Sequence, residues 1–464
     1  QNPTRPGPCP LQRRSRFRTL FIATLLAACT ATHADTPVFP ESSDRKHIEV
    51  LSSDAFEGRA PGTAGEQKTL ACIEQQFRAA GLQPGIGDSY LQPVPVVEIM
   101  PHADAAMRLS GAGGKSLELR SPDGVVVWTK RPVPASGIGN AGVVYAGYGL
   151  VAPEYGWNDY AGLDVRGKLA LAAAGMDFGA LKQASSVRGF QGQATNLTAS
   201  MSVRNDVRNT ASYNVVGRVP GSKRPDEAFV YTAHWDHLGR TANAKPGEDA
   251  IFNGAQDNAT GVSALIELGR AFAATKPAPE RSLIFVAVTA EESGLLGSEY
   301  VAAHPPILVA QMVGGLNMDN LYSVGKTRDI TVIGSGKSEL EDDLRTAAAR
   351  QGRVPVQEPS PEKGFYYRSD HFNLAKAGVP MLYTKAGIDS PTLGADYGKQ
   401  WLADYTAQRH HQVTDEYSPD WDVSGTLQDL QLYYDVGLGV ANSSRWPNWR
   451  ADREFRAIRD QSRK

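Results

Sequence analysis

The amino-acid sequence predicts an α/β fold, a mostly parallel mixed sheet flanked by helices, with a small β-rich domain inserted into it. Three near-continuous apolar runs, residues 228–233, 282–290 and 312–318, have the length and composition of buried parallel strands. Residues 262–272 carry apolar side chains at helical spacing between the first two runs, and residues 295–303 suit a helix before the third. Strands that alternate with helices in this way are typical of an open α/β sheet.

The first element in chain order is a predicted export signal over residues 1–34. Arginines between Arg13 and Arg18 precede an apolar run, 20–28, that is too short to span a bilayer. Residues 26–29 resemble a lipoprotein box with Cys29 as the lipid anchor, whereas residues 32–34 suit an ordinary signal peptidase. We therefore expect an exported protein without a membrane span, either free in the periplasm or medium or anchored by a lipid.

The remaining chain divides by texture into four segments. Residues 35–99 are helix-rich, contain a glycine- and proline-rich turn over 54–65, and are predicted to form the first part of the main domain. Short β-type runs separated by Gly, Pro and Asn predict the β-rich insert over 100–207. Residues 208–445 hold the strand and helix alternation of the main domain, and 446–464 is a charged tail that we expect to be a solvated helix face.

Composition excludes two classes of site. The formal net charge is −2 with 48 basic and 50 acidic residues, so nothing favours nucleic acid as a partner. The chain has 3 cysteines, two of them within the predicted signal, which is too few for a zinc site built from thiolates.

Polar residues follow the ends of the three predicted strands. His234 ends the first strand, Glu291 and Glu292 follow the second, and Asp319 follows the third. Asp257 lies in the loop after the first strand, and a further histidine, His411, comes near the end of the chain. Because ligands of open α/β sheets bind at the carboxyl ends of the strands, we expect these side chains to converge.

Imidazole and carboxylate ligands without thiolates suit Zn²⁺. Two zinc ions about 3.5 to 4 Å apart require a shared carboxylate, for which Asp257 is the candidate. The predicted ligands are His234, Asp257 and Asp319 for one ion and Asp257, Glu292 and His411 for the other.

The pair Glu291 and Glu292 divides two tasks, because neighbours on an extended chain point to opposite sides. If Glu292 binds metal, Glu291 stands free to take a proton from an attacking water and return it to a leaving group. Asp236 is predicted to orient the ring of His234 rather than to bind metal.

Several segments together resemble the di-zinc aminopeptidases related to aminopeptidase Y, in peptidase family M28. The resemblance is carried by the order and spacing of residues 233–239, 256–261, 291–298, 317–319, 368–372 and 411–416. It implies a zinc-exopeptidase-like fold, two Zn²⁺ per chain on the same ligands, Glu291 as base, and peptide substrates with a free amino terminus. It also implies that the insert, through residues 141–149 and 162–168, is a protease-associated domain.

One position departs from the family pattern. The residue before the last metal histidine is commonly a tyrosine that stabilises the oxyanion, but here it is His410. The oxyanion role is therefore open between His410, Tyr405 and Tyr383, and His410 competes with His411 as the ligand, although the spacing to Asp415 favours His411. Asp370 either lines the substrate pocket or caps the helix after it.

Two rival functions follow from the same residues. A mono-zinc relative such as a glutaminyl cyclase, or a carboxypeptidase or dipeptidase, would keep the fold and change the reaction. A non-catalytic binding protein would keep the peptidase shape, but it would be expected to lack a ligand or the base, and none of these residues is missing.

Overall fold

A computed structural model describes residues 37–463 except 103–104, 122, 153–155, 172–182, 184–186, 188–189 and 242–243. The predicted signal over 1–34, with Cys29, lies outside the described residues. None of the described helices is long and apolar enough to cross a membrane.

The described chain forms two compact units. The first comprises residues up to Val94 and from Ala211 onward, and the second comprises Pro95–Thr210, which overlaps the segment predicted as an insert. The helices are α1 (Glu41–Leu51), α2 (Ala64–Ala79), α3 (Thr260–Ala274), α4 (Leu296–Ala303), α5 (Leu340–Arg350), α6 (His371–Lys376), α7 (Gly394–Gln408), α8 (Ser424–Asn442) and α9 (Arg456–Ser462).

The strands follow the same chain order. They are β1 (Gln83–Pro84), β2 (Leu91–Pro101), β3 (Ala106–Ser110), β4 (Ser116–Arg120), β5 (Ala135–Tyr145), β6 (Val151–Ala152), β7 (Trp157–Asn158), β8 (Leu169–Leu171), β9 (Gln193–Val219), β10 (Arg224–His234), β11 (Gly239–Arg240), β12 (Ile251–Phe252), β13 (Arg281–Val288), β14 (Met312–Asn317), β15 (Asp329–Val332), β16 (Val354–Gln357) and β17 (Met381–Ala386).

The sheet of the first unit is mixed and mostly parallel, as predicted. Its order is β16-β15-β17-β14-β10-β13-β9. The pairs β16/β15, β17/β14, β14/β10 and β10/β13 are parallel, whereas β15/β17 and β13/β9 are antiparallel. β13 and β14 lie on opposite sides of β10, although both follow it in the chain. The loops that follow β10 and β13 therefore lead in different directions at the carboxyl edge of the sheet, where they leave a crevice.

The three apolar runs that predicted the fold lie in β10, β13 and β14. Every residue of β13 and β14 is buried, which explains why these strands have no polar alternation. The predicted helix faces are present too, because Val262, Leu265 and Phe272 of α3 pack in the main hydrophobic core.

The C-terminal segment is solvent-exposed over most of α9, as its prediction as a solvated helix face requires, but it also contains buried residues. Trp449 is fully buried and donates its indole N–H to the carbonyl of Gly378 at 3.0 Å. Arg459 of α9 is also buried and donates to the carbonyl of Met312 at 2.7 Å. The charges of the segment dominated its composition, but the aromatic residues between them supply the apolar surface that packs onto the domain.

The second unit is rich in strands. β3 pairs with β4 and with β9, and β5 pairs with β9, all antiparallel, while β5 pairs with β8 in parallel. Residues 124–129, which have a β-type composition, are not a strand, although Val127 among them is buried in a small core with Ala105 and Val203.

Candidate metal centre

The predicted ligands meet at the carboxyl edge of the main sheet. His234 is the last residue of β10, and Asp319 comes two residues after the end of β14. Glu291 and Glu292 follow β13 in a turn before α4. Parallel strands end at a common edge, so residues far apart in sequence become neighbours there.

The first group consists of His234, Asp257 and Asp319. The Nε2 atom of His234 lies 3.2 Å from Oδ1 of Asp257 and 3.7 Å from Oδ1 of Asp319. All three side chains are buried, and their ligand atoms are close enough together to hold one ion.

The second group shares Asp257 with the first. Nε2 of His411 lies 3.4 Å from the other oxygen of Asp257, Oδ2, and 3.2 Å from Oε2 of Glu292. The two carboxylate oxygens of Asp257 therefore face different groups, which is the arrangement that a shared carboxylate needs.

His410 lies beside this second group. Its Nε2 atom is 3.6 Å from Oδ2 of Asp257, and its ring stacks on that of His411 with a centroid separation of 4.1 Å. Both histidines thus reach Asp257, but of these two only His411 lies within ion-pair distance of Glu292. The contact to Glu292 favours His411 as the ligand of the pair.

Two site residues escaped the sequence reasoning. Nδ1 of His237 lies 2.7 Å from Oε1 of Glu292, and this histidine belongs to a possible ligand group with Asp257 and Glu292. Lys385 of β17 donates to the carbonyl of Asp319 at 2.6 Å, with Nζ 3.6 Å from Oδ1 of the same residue. The signal for His237 was its place two residues after Trp235 in the strand-end motif, whereas Lys385 had no local signal.

Asp236 acts on different atoms from those predicted. The ring of His234 contacts the backbone carbonyl of residue 236, with Nδ1 at 3.1 Å, rather than its side chain. The carboxylate of Asp236 instead accepts the backbone N–H groups of Glu291 at 3.1 Å and of Glu292 at 3.3 Å. The prediction that its side chain orients the His234 ring is therefore wrong, because a carboxylate turned toward the next strand end finds two unpaired amides.

The loop that carries Asp257 is held by Asp415. This buried carboxylate accepts the backbone N–H of Gln256 at 3.1 Å and of Asp257 at 3.0 Å. Burial raises the pKa of Asp415 to about 6, opposed by these hydrogen bonds. The short spacing between His411 and Asp415 therefore places both residues next to Asp257, where His411 contacts its carboxylate and Asp415 holds its backbone.

The titration of the two adjacent glutamates diverges. Burial raises the pKa of Glu291 well above its usual range, opposed by the charge of His234 and reinforced by the carboxylates around it. Glu292 is also penalised by burial, but hydrogen bonds with His237 and His411 lower its pKa to about 2. One neighbour therefore favours a proton and the other favours its charged form, which is the division of labour expected of a base and a ligand.

Asp370 occupies the N-cap position of α6 but makes no capping hydrogen bond. It is fully buried, and burial raises its pKa to about 7. Of the two roles considered for this residue, capping is not supported by its contacts. The neighbouring His371 is buried as well, and burial lowers its pKa to about 3.

The donor set fits zinc. Imidazole nitrogens and carboxylate oxygens converge around the buried Asp257, with His411 at the exposed side of the site. Each of the two groups has three side chains in mutual contact through Asp257 or a histidine, which would leave a position open for water. Burying so many carboxylates without a cation would cost several kcal/mol for each uncompensated charge. A cation bound at this edge of the sheet would offset that cost.

Comparison with known proteins bears on the same region. Residues 214–435 match the sequence model of peptidase family M28. A probable zinc metalloprotease of Leptosphaeria maculans is 27% identical over 247 residues, which are 49% of this chain and 55% of that protein. Another, from Pyrenophora tritici-repentis, is 30% identical over 252 residues, 51% of this chain and 50% of that protein. The chain spans about half the length of these curated relatives.

The fold is similar to that of a solved aminopeptidase from Aneurinibacillus sp. strain AM-1. The TM-score is 0.53 at 19% sequence identity, over 87% of this chain and 95% of the other. At this identity the likeness concerns the fold, and it agrees with the mixed sheet flanked by helices.

Proposed function

Because residues 214–435 belong to peptidase family M28, a family of zinc metallopeptidases, we propose that this protein is an exported aminopeptidase that uses two zinc ions. It would release residues from the free amino ends of peptides. The observation that carries the proposal is the placement of Asp257, whose two oxygens face two separate sets of potential ligands.

His234, Asp257 and Asp319 would hold one ion, and Asp257, Glu292 and His411 the other. Zinc bound there would act as a Lewis acid on the scissile carbonyl and lower the pKa of the attacking water. Asp236 keeps the Glu291–Glu292 turn in place by accepting two backbone N–H groups, so that the proposed base and the proposed ligand both stay next to His234.

Glu291 is the proposed general base. Its raised pKa suits a carboxyl that takes a proton from the attacking water and later delivers it to the leaving amine. The buried Asp370 contributes to that shift through its charge, and we propose that it borders the substrate pocket.

His410 is the proposed donor to the oxyanion. The hydroxyls of the two rival residues are already engaged, since Tyr405 donates to Oδ1 of Asn320 at 2.6 Å and Tyr383 to Oδ2 of Asp319 at 3.1 Å. The side chain of His410 is 39% exposed and lies beside Asp257, where it can reach a bound substrate.

A carboxypeptidase or dipeptidase is the second candidate, and Lys385 is the observation that favours it. Its ammonium lies at the same centre, next to Asp319, and could bind the terminal carboxylate of a substrate. The carboxylates around the centre instead favour binding of a positively charged substrate group, such as the ammonium group of a free amino end.

The deciding experiment measures hydrolysis of amino-acid p-nitroanilides and of one peptide in free, amino-acetylated and carboxyl-amidated forms, with bound zinc counted. We expect the free and amidated forms to be cleaved, the acetylated form to resist, and two zinc ions per chain. Cleavage of the acetylated form with resistance of the amidated one would establish the carboxypeptidase instead. One zinc ion and release of ammonia from a glutaminyl peptide would indicate a cyclase.

Glu291→Gln tests the base directly. We expect kcat to fall about 10³-fold with both zinc ions retained, because the amide cannot accept the proton. Glu299→Gln is the matched control, since Glu299 is exposed on α4 and faces solvent. A folded Glu291→Gln protein with normal activity would refute the role of Glu291, and a wild-type protein that binds zinc but cleaves nothing would favour a binding function.

Two parts of the proposal concern other regions of the chain. Export rests on the predicted signal over 1–34, with either release or a lipid anchor at Cys29. The β-rich unit over Pro95–Thr210 is proposed to be the protease-associated domain implied by the family resemblance.

A further inference from the structure

The turn over residues 54–65 has an unusual backbone. Glu57, Gly58 and Arg59 all have positive φ, at 52°, 67° and 54°. Two of the three are not glycine, and such residues adopt this region only where the surroundings enforce it, which is common near functional sites. A side chain at Gly58 would collide with the backbone oxygens of Gly239 and Phe252, so this residue must be glycine.

This backbone directs the side chain of Arg59 into the protein interior, next to the backbone that carries candidate metal ligands. The residue is 1% exposed, and all the hydrogen-bond acceptors of its guanidinium are backbone carbonyls. Nε donates to Trp235 at 3.0 Å, Nη1 to Leu51 and Asn253 at 2.7 Å each, and Nη2 to Gly254 at 2.8 Å.

The positions of these carbonyls connect Arg59 to the ligands. Trp235 directly follows His234, and Asn253 and Gly254 come shortly before Asp257. One planar group therefore joins the strand end that carries one ligand to the loop that carries the bridging candidate. A guanidinium is suited to this task because its five donors have a fixed geometry.

Arg59 also supplies charge at a place rich in acids. Burial lowers its pKa to about 10, and the carboxylates of Asp415, Asp257, Asp236 and Glu292 oppose that change. It is therefore a cation at neutral pH. Its backbone carbonyl faces the N–H of His237 at 3.4 Å, which places a second contact of the same residue near Glu292.

We propose that Arg59 is a positioning residue of the metal centre, whose guanidinium fixes the backbone beside His234 and Asp257 and so sets the geometry in which both bind zinc. This inference rests on the proposed zinc function. It assigns a role to a turn that the ligand pattern itself left unexplained.

Arg459 offers a matched comparison. It is also 1% exposed and also donates to backbone carbonyls, those of Met312 at 2.7 Å and Val309 at 3.4 Å. These lie at the amino end of β14, whereas the candidate ligands lie at the carboxyl ends of the strands. Loss of Arg459 should therefore affect stability without affecting zinc.

The test compares Arg59→Met, Arg59→Lys and Arg459→Met in the full-length protein. Zinc affinity is measured by competition with a chromophoric chelator at a temperature at which thermal unfolding curves show each variant folded. We expect Arg59→Met to bind zinc about 10- to 100-fold more weakly, as for other residues that support metal ligands. Arg59→Lys keeps the charge but cannot span the loops and should lose part of the affinity, while Arg459→Met should match wild type.

Each outcome decides the question. Wild-type zinc affinity in folded Arg59→Met would overturn the role of Arg59 and leave the proposed function intact. An equal loss of zinc affinity in Arg459→Met would do the same. If Arg59→Met does not fold, Arg59→Lys takes its place, and wild-type affinity in that variant would overturn the inference in the same way. A wild-type protein without bound zinc would overturn the proposed function and this inference together.

Discussion

Asp257 shows at the scale of one residue why the candidate site is costly to build. Its carboxylate is buried between His234 and His411, and hydrogen bonds from both histidines lower its pKa well below the usual range against the penalty of burial. Such a residue repays its desolvation only if strong positive charge is nearby. Two cations bound on either side of the Asp257 carboxylate would supply that charge.

His410 carries the first prediction at this scale. Replacing it by phenylalanine keeps an aromatic ring on His411 but removes the donor, so we expect kcat to fall about 10²-fold with little change in KM. The measurement is steady-state hydrolysis of the best p-nitroanilide, with bound zinc counted in parallel.

His410→Tyr is the companion variant, because a hydroxyl can donate the same hydrogen bond. We expect it to retain most of the activity. If His410→Phe were as active as wild type, the oxyanion role would pass to another donor, and if it lost zinc, His410 would be a ligand in place of His411.

At the scale of elements, α1 packs against α3, the helix that begins three residues after Asp257. Asp44 of α1 is fully buried and accepts the hydroxyl of Ser263 of α3 at 2.6 Å. Burial raises the pKa of Asp44 to about 6, opposed by this hydrogen bond and reinforced by the charge of Glu267. The carboxyl is thus expensive to keep charged in the folded protein.

The sign of the pH dependence follows from the raised pKa. The folded protein binds a proton at Asp44 more tightly than the unfolded chain, so the associated stability is present below about pH 3.8 and is lost as pH rises through 6. The loss amounts to about 3 kcal/mol at most. Asp44→Asn removes this penalty and should raise the free energy of unfolding at pH 8 by about 1 to 3 kcal/mol.

Denaturant unfolding of the zinc-free proteins at pH 8 and pH 4 checks this expectation. The difference between Asp44→Asn and wild type should shrink toward zero at pH 4, where the native aspartate is protonated. Glu49→Gln is the control, because Glu49 lies on the same helix and is exposed. A variant less stable than wild type at pH 8 would show that the charged form of Asp44 is needed.

At the scale of the whole molecule, the centre joins distant parts of the chain. His234 lies near the beginning of the segment 208–445 and His411 lies near its end, yet both contact Asp257. A metal bound to these residues would stabilise the folded state, because the site does not exist in the unfolded chain, and it would also neutralise mutually repelling carboxylates. We therefore expect the zinc-loaded protein to be more stable than the zinc-free protein.

Chelation tests the coupling between metal and fold. Removing zinc should lower the melting temperature, and zinc present at 100 times its Kd should restore about 2.7 kcal/mol for each site. Differential scanning fluorimetry at one fixed scan rate follows both steps, with magnesium as a control that should not restore stability. An unchanged melting temperature would mean that the ligands are held in place without metal.

The sequence by itself determined the mixed sheet and the candidate ligands. The strands β10, β13 and β14 each contain a nearly continuous apolar run, and the polar residues at or after their ends could be found from local order alone. Parallel strands share an edge by construction, which is why the four residues at or just after their ends, His234, Glu291, Glu292 and Asp319, converge. Asp257 and His411 reach the same edge from loops.

Only the tertiary structure decided how that centre is supported. The carboxylate of Asp236 accepts the amides of Glu291 and Glu292, and Lys385 reaches Asp319 from another strand. Arg59 reaches the end of α1, the residue after β10 and the loop before Asp257. Trp449 and Arg459 pack inside what had the composition of a charged tail. These contacts join residues far apart in sequence, and the periodicity of a single segment carries no information about which distant backbone groups it will meet.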